Sequence, residues 1–171
     1  HAARLQYPAI VPVYDAGREN DARFFVMEYV EGVSLADEIR AGRLERGQIV
    51  KLIIQVADAL HFAHQHDLIH RDIKPANILI DRDGRARITD FGLAIDLSTQ
   101  RDHAGDYAGT LPYMSPEQIR GDAHLLHART DIWSLGVVLY EALTGVRPFT
   151  ADSPTALRDA IIAKPDAILD D

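Results

Sequence analysis

Cysteine is absent from this 171-residue chain, which excludes disulfides and thiolate chemistry and is compatible with an intracellular, cytoplasmic setting. Long apolar runs are missing too. The longest, "LGVVLYEALTG", is interrupted by Glu141, short of the ~20 apolar residues that span a bilayer, so no membrane segment is predicted. Clustered positive charge is also lacking. Acidic residues number 26 against 18 Lys and Arg, for a formal charge of −8, and the basic residues are scattered, which argues against nucleic acid as the main partner. There is no internal repeat, low-complexity tract or signal-peptide pattern. The chain opens at "HAARLQYP" and closes at "AILDD", and it reads as an excerpt from a longer protein. What it does have is 47% hydrophobic residues, enough for one domain with a true core or for part of a larger one.

Two β-rich runs, "IVPVYDAG" and "RFFVMEYV", flank the turn-forming "GREND" and predict an antiparallel strand pair. A capping Ser34 and a terminal Gly42 bracket a short helix over 34–41. From Arg46 to His66 the apolar set Ile49, Ile53, Val56, Leu60 and Ala63 advances by three or four, the mark of an amphipathic helix with one buried stripe. "ILIDRDGRARITDFG" contains two short β-type runs around the turn "DRDG". Residues 95–117 are polar with little periodicity and predict a long functional loop. "TDIWSLGVVLYEALTG" is apolar nearly all round, begins on a Thr/Asp cap and stops at Gly145. It predicts a buried central helix with Trp133, Leu135, Val138, Leu139 and Leu143 in the core. "SPTALRDAIIA" reads as a last helix opened by Ser and Pro.

Between the long helix and the second pair of strand-like runs lies "HRDIKPANIL", residues 70–79. It places ionisable side chains and an amide between hydrophobic neighbours, as though they converge on something. His70-Arg71-Asp72, Lys74 and Asn77 are followed by Asp90-Phe91-Gly92, Ser115-Pro116-Glu117 and Asp131-Ile132-Trp133-Ser134-Leu135-Gly136. The set, in this order, resembles the signature motifs of eukaryotic-type protein kinases. Only Ser115 departs, standing where the family has Ala. The resemblance covers essentially the whole chain. It implies an α+β, protein-kinase-like fold fragment, with residues 1–30 the end of the small lobe and hinge and residues 31–171 most of the helical large lobe.

By this resemblance the chain transfers the γ-phosphate of ATP to Ser/Thr hydroxyls of a protein substrate, with Mg²⁺ as metal. The resemblance implies Asp72 for the substrate hydroxyl proton, Asn77 and Asp90 for Mg²⁺, and Lys74 for neutralising charge near the transferred phosphate. Hard oxygen ligands suit that metal. It gives Leu79 the floor under the adenine, and Met27, Glu28, Tyr29 and Val30 the gatekeeper and hinge. His70 and Phe91, with Val13, become structural members of an apolar spine. Lys74 together with "GTLPYMSPE" is similar to serine/threonine kinases, in which a Thr at the position of Thr110 bridges lysine and aspartate. Arg71 marks the subtype ordered by a phosphate on the activation loop, with Ser98, Thr99 and Thr110 as candidate sites. "PAIVPVYDAG", "MSPEQIRG" and "LTGVRPF" are most similar to bacterial members.

Ordinary readings stand beside these. Asp131 near a helix start reads as an N-cap, and the family reading adds support of the catalytic-loop backbone. His61, His64 and His66 lack a carboxylate at ligand spacing and read as surface or packing rather than metal ligands. A non-catalytic pseudokinase or scaffold, and a small-molecule kinase of similar fold, remain the alternatives. The family's Gly-rich loop, strand lysine and helix glutamate have no match in the chain. The isolated 171-residue chain is therefore expected to show little or no phosphoryl transfer. A radiolabelled-phosphate assay on it checks this, and rates like those of an intact kinase would defeat it.

Overall fold

The periodicities of 2 and 3.6 become elements in a computed structural model that describes residues 6–20, 22–91, 109–122 and 126–163. Strands β1 (Val13–Glu19) and β2 (Ala22–Met27) pair antiparallel, from Val13 opposite Met27 to Glu19 opposite Ala22. The predicted turn over 17–21 is tighter than expected: Gly17, Arg18 and Glu19 extend the strand, and the reversal starts at Asn20 with φ 47°, a left-handed geometry Asn tolerates. A three-stranded antiparallel sheet follows, in the order β3 (Gly32–Ser34), β4 (Ile78–Asp81), β5 (Ala86–Ile88). At Gly32 the strands approach so closely that a Cβ would stand 2.0 Å from the Ile80 carbonyl oxygen, so only glycine fits. The two sheets are joined by a parallel bridge between Ile10 and Ile88. The Ile88 amide donates to Ala9 at 2.7 Å and its carbonyl accepts from Val11 at 2.9 Å.

Helix α1 (Leu35–Ala41) starts where the sequence places it, with the Ser34 hydroxyl accepting the Asp37 amide, and ends on left-handed Gly42. Helix α2 (Arg46–Gln65) buries Ile49, Leu52, Val56, Ala59, Leu60 and Ala63. Leu52 and Ala59 widen the predicted stripe, and Ile53 sits half-buried at its margin. The helix packs against β5 and against α4 (Ala128–Thr144). Between them, α3 (Pro116–Arg120) begins inside the stretch expected to be loop, stabilised by a capping box between Ser115 and Gln118. Helix α5 (Pro154–Ala163) closes the described chain.

Helix α4 departs from expectation twice. It starts earlier, with His127 as N-cap, so neither Thr130 nor Asp131 caps it. It is also one-sided: Leu135, Val137 and Val138 are buried, whereas Ile132 and Leu143 are exposed. The core joins α2, α4, β4 and β5 with Leu35, Ile73, Phe91, Tyr113, Phe149 and Ile161. Full burial of each such side chain contributes about 1.5–3 kcal/mol. The architecture is α+β, and it sets the 70–77 segment between α2, α4 and the second sheet.

Leu60 is fully buried and Ile54, on the same helix, is 54% exposed. Leu60→Ala is expected to cost about 2–5 kcal/mol, and Ile54→Ala no more than about 0.5 kcal/mol. Urea unfolding of the two variants checks this, and equal midpoints would contradict the assigned core.

Candidate functional site

Residues 70–77 have little regular structure of their own beyond one 3₁₀ turn at Pro75–Asn77, so their shape depends on side chains brought from elsewhere. The central one is Asp131 on the first turn of α4, whose side chain is 0% exposed. Its Oδ2 accepts from the His70 amide at 2.9 Å and its Oδ1 from the Arg71 amide at 2.8 Å. His64, near the end of α2, brings Nε2 to within 2.7 Å of the same Oδ2. A buried carboxylate is tolerated when such donors surround it. Asp131 is therefore not a cap but an anchor for the main chain leading into Asp72. Arg71 is held there at φ 67°, a conformation costly for a non-glycine residue and sustained by its surroundings. Its carbonyl accepts from Gln118 Nε2 at 2.8 Å, which ties α3 to the same loop.

His70 is fully buried. Its Nε2 lies 2.8 Å from the Thr89 carbonyl, and its Nδ1 accepts the Asp72 amide at 3.2 Å. A carbonyl only accepts and an amide N–H only donates, so these partners assign the neutral Nε2–H tautomer. The ring meets Phe91 edge-on at 4.6 Å between centroids. Both rings are buried, and Val13 in β1 pairs with Met27.

Asp72, Lys74 and Asn77 converge. Asp72 Oδ2 lies 2.9 Å from Lys74 Nζ and accepts from Asn77 Nδ2 at 3.0 Å. Asn77 Nδ2 also donates to the Asp72 carbonyl at 2.8 Å. Lys74 Nζ also donates to Thr110 Oγ1 at 2.8 Å, so the lysine stands between Asp72 and Thr110. The other carboxylate oxygen, Asp72 Oδ1, is buried and has no hydrogen-bond partner among the described residues. An orphaned acceptor of this kind is costly in a folded protein and marks a place for an incoming donor or cation.

Asp90 is delivered by β5. The Asn77 carbonyl accepts the Thr89 amide at 2.9 Å and its hydroxyl at 3.3 Å, and Asp90 follows at φ 65°. Burial pushes its carboxyl above the usual range, and the charge of Asp72 adds to that while Lys74 opposes it. A cation beside it would relieve both penalties. With Asn77 Nδ2 turned to Asp72, the amide oxygen is the atom that would ligate a cation. The donor set is thus carboxylate and amide oxygen, which fits Mg²⁺ held by one or two carboxylates with phosphate and water. Among the described residues no three His, Cys, Asp or Glu side chains cluster as a metal cage.

The remaining predicted residues lie along the junction of the sheets. Met27 ends β2, the Glu28 amide donates to Pro12 at 3.0 Å, and Tyr29 is 86% exposed beside half-buried Val30. Leu79 is half-buried in β4, opposite both Ser34 and Arg87. Gly92, Ser98 and Thr99 lie outside the described residues.

The sequence reading missed His64 and Gln118. His64 follows Leu60 by one helical turn, next to the buried stripe of α2, and that position is the signal that separates it from its neighbours. His61 instead meets Gln65 at 3.1 Å, and His66 Nδ1 meets the Phe62 carbonyl at 2.8 Å. Glu117 accepts the Thr130 hydroxyl at 2.8 Å.

Known proteins match this chain closely. A family model described as the protein kinase domain matches residues 1–169. Serine/threonine-protein kinase PknB of Mycolicibacterium smegmatis is 44% identical over 165 residues, covering 92% of this chain and 26% of that protein. Serine/threonine-protein kinase PrkC of Bacillus subtilis is 44% identical over 158 residues, covering 91% and 24%. A probable serine/threonine-protein kinase of Clostridium perfringens is 45% identical over 158 residues, covering 91% and 23%. The chain thus spans about a quarter of the length of these curated relatives. No helix among the described residues is long and apolar enough to cross a membrane. With a match running through residues 1–169 and the motifs folded around one buried aspartate, the chain belongs to the protein kinase domain family.

Proposed function

We propose that these residues form the catalytic part of a serine/threonine protein kinase that moves the γ-phosphate of ATP to a Ser or Thr hydroxyl on a protein substrate. The observation that carries this reading is Asp72: one carboxylate oxygen is fixed between Lys74 and Asn77, and the other is buried without a partner among the described residues. A substrate hydroxyl donating to Oδ1 would be aligned for attack, with its proton passing to Asp72. The hydroxyl oxygen bonds to the γ-phosphorus as the bond from that phosphorus to the oxygen bridging to the β-phosphate breaks, leaving ADP. Positioning and charge neutralisation do most of the work in such transfers. Lys74, tied to Thr110, holds a positive charge at the phosphate being transferred. Asn77 and Asp90 would hold Mg²⁺, whose chemistry is to neutralise the phosphate oxygens.

On this reading residues 1–30 are the end of the small lobe and hinge, and residues 31–171 belong to the large lobe. The adenine lies between Leu79 and the 27–30 segment. The names of the relatives support the protein-substrate class, and so does the Lys74–Thr110 contact.

In the full-length protein, Asp72→Asn is expected to lower kcat by about a hundred- to ten-thousandfold while leaving ADP binding and the melting temperature near wild type. Steady-state kinetics on a Ser/Thr peptide library, beside calorimetry, checks this, and undiminished turnover would refute the role of Asp72. Asp131→Asn exchanges an acceptor for a donor that faces an amide or His64. Leaving a buried amide unpaired costs about 1–3 kcal/mol. This variant is expected to lose both thermal stability and kcat, in contrast to Asp72→Asn. A wild-type unfolding curve for it would show that the anchor is dispensable.

A further inference from the structure

We propose that Arg87 is a positioning residue for the adenine of the nucleotide: paired with Glu28, it fastens the segment after β2 to β5 beside Leu79. The inference rests on the kinase reading above and deepens it. Arg87 stands directly opposite Leu79 in the β4–β5 pair. Cross-strand partners project from the same face of a sheet, so Arg87 leaves the sheet on the side of the proposed adenine floor. Its Nη2 then reaches Glu28 Oε2 at 2.7 Å, across 59 residues of sequence. The pair is partly withdrawn from water, with side chains 18% and 35% exposed, and Arg87 Nε is buried without a partner among the described residues. The stem leading to the ion pair is therefore enclosed, unlike that of the exposed Arg85–Asp83 pair on the neighbouring turn, whose side chains are each 68% exposed.

Glu28 is consequently fixed twice. Its amide donates to the Pro12 carbonyl at 3.0 Å, which sets its place against the first sheet, and its carboxylate is held by the second. Residues 28–31 belong to no strand and join β2 to β3. Without Arg87, the connection would be tied to the second sheet by the main-chain pairing of β3 with β4 and by the Arg82–Glu31 pair on the turn after β4, whose side chains are far more exposed than those of Arg87 and Glu28. Adenine is uncharged and flat, so its affinity depends on the width of the slot and on the register of backbone groups at its edge. The phosphates lie at the Asp72 end and do not sense that width directly. Loss of the pair should therefore act on nucleotide affinity and spare the transfer step.

The test compares Arg87→Met, Arg87→Lys, Glu28→Gln and the Arg87→Met/Glu28→Gln double variant in the full-length protein. It uses calorimetric titration with ADP in the absence of metal, KM for ATP and kcat on a peptide, and melting temperature. Arg87→Met is expected to weaken ADP and raise KM for ATP by about fivefold, with kcat within about twofold. Arg87→Lys should fall between it and wild type, because lysine keeps the charge and loses the planar fork. Glu28→Gln should match Arg87→Met, and the double variant should be no weaker than either single one. Unchanged ADP affinity in Arg87→Met overturns the proposal, as does a fall in kcat and melting temperature with affinity intact, which is the pattern of a merely structural residue. A wild-type protein that binds no ADP and transfers no phosphate would instead fail the kinase reading, and the role of Arg87 with it.

Discussion

The burial of one carboxylate determines how the rest of this site is built. Asp131 sits with no exposure on the first turn of α4 and gathers two main-chain amides and the His64 ring. Because a buried charge is tolerated only when its donors are in place, the carboxylate constrains three parts of the chain together: the end of α2, the segment at 70–71 and the start of α4. The packing of α2 against α4 brings them into range, and the hydrogen bonds then fix orientation. The Asp72 side chain, one residue on, inherits a direction it could not hold by itself.

The same arrangement accounts for two of the left-handed non-glycine residues. Arg71 and Asp90 both occupy the left-handed region, and each immediately adjoins a proposed reacting or metal-holding group or is one itself. Neither position is a glycine, so the conformation is imposed by neighbours: Asp131 and Gln118 on one side, the Asn77–Thr89 pairing on the other. The orphaned Asp72 Oδ1 and the raised carboxyl of Asp90 belong to the same pattern. Local stability is given up in a small region while Ile73, Ile78 and Phe91 around it stay buried.

Much of this was legible beforehand. The 3.6-residue stripe of α2, the Ser34 and Gly42 boundaries of α1 and the two strand pairs follow from local pattern and capping chemistry, and the structure has them. The order of motifs led to Asp72, Lys74 and Asn77, which converge, because the spacing of such residues is local. What was not legible depends on tertiary partners. In "HFAHQH" only its place beside the buried stripe of α2 sets His64 apart from His61 and His66, and its partner appears only when α4 brings Asp131 beside it. The start of α3 at Pro116 was hidden because its capping box lies in a polar stretch without periodicity. Asp131 resembled a cap because Thr and Asp at a helix start usually are caps, whereas here His127 takes that place.

Strand β5 has three residues, and each faces a different neighbour. Ala86 is buried against α2 and donates its amide to Gln55 at 2.9 Å; Arg87 turns to Glu28; Ile88 is buried and bridges to Ile10. A strand alternates faces with a period of two residues, so slipping its register by one would reverse every assignment. The guanidinium would enter the core and two aliphatic side chains would emerge from it. Single-residue insertions or deletions in the "DRDG" turn just before the strand therefore face a penalty out of proportion to the exposure of that turn. The length of this hairpin is a harder constraint on the domain than the identity of the residues that make its bend.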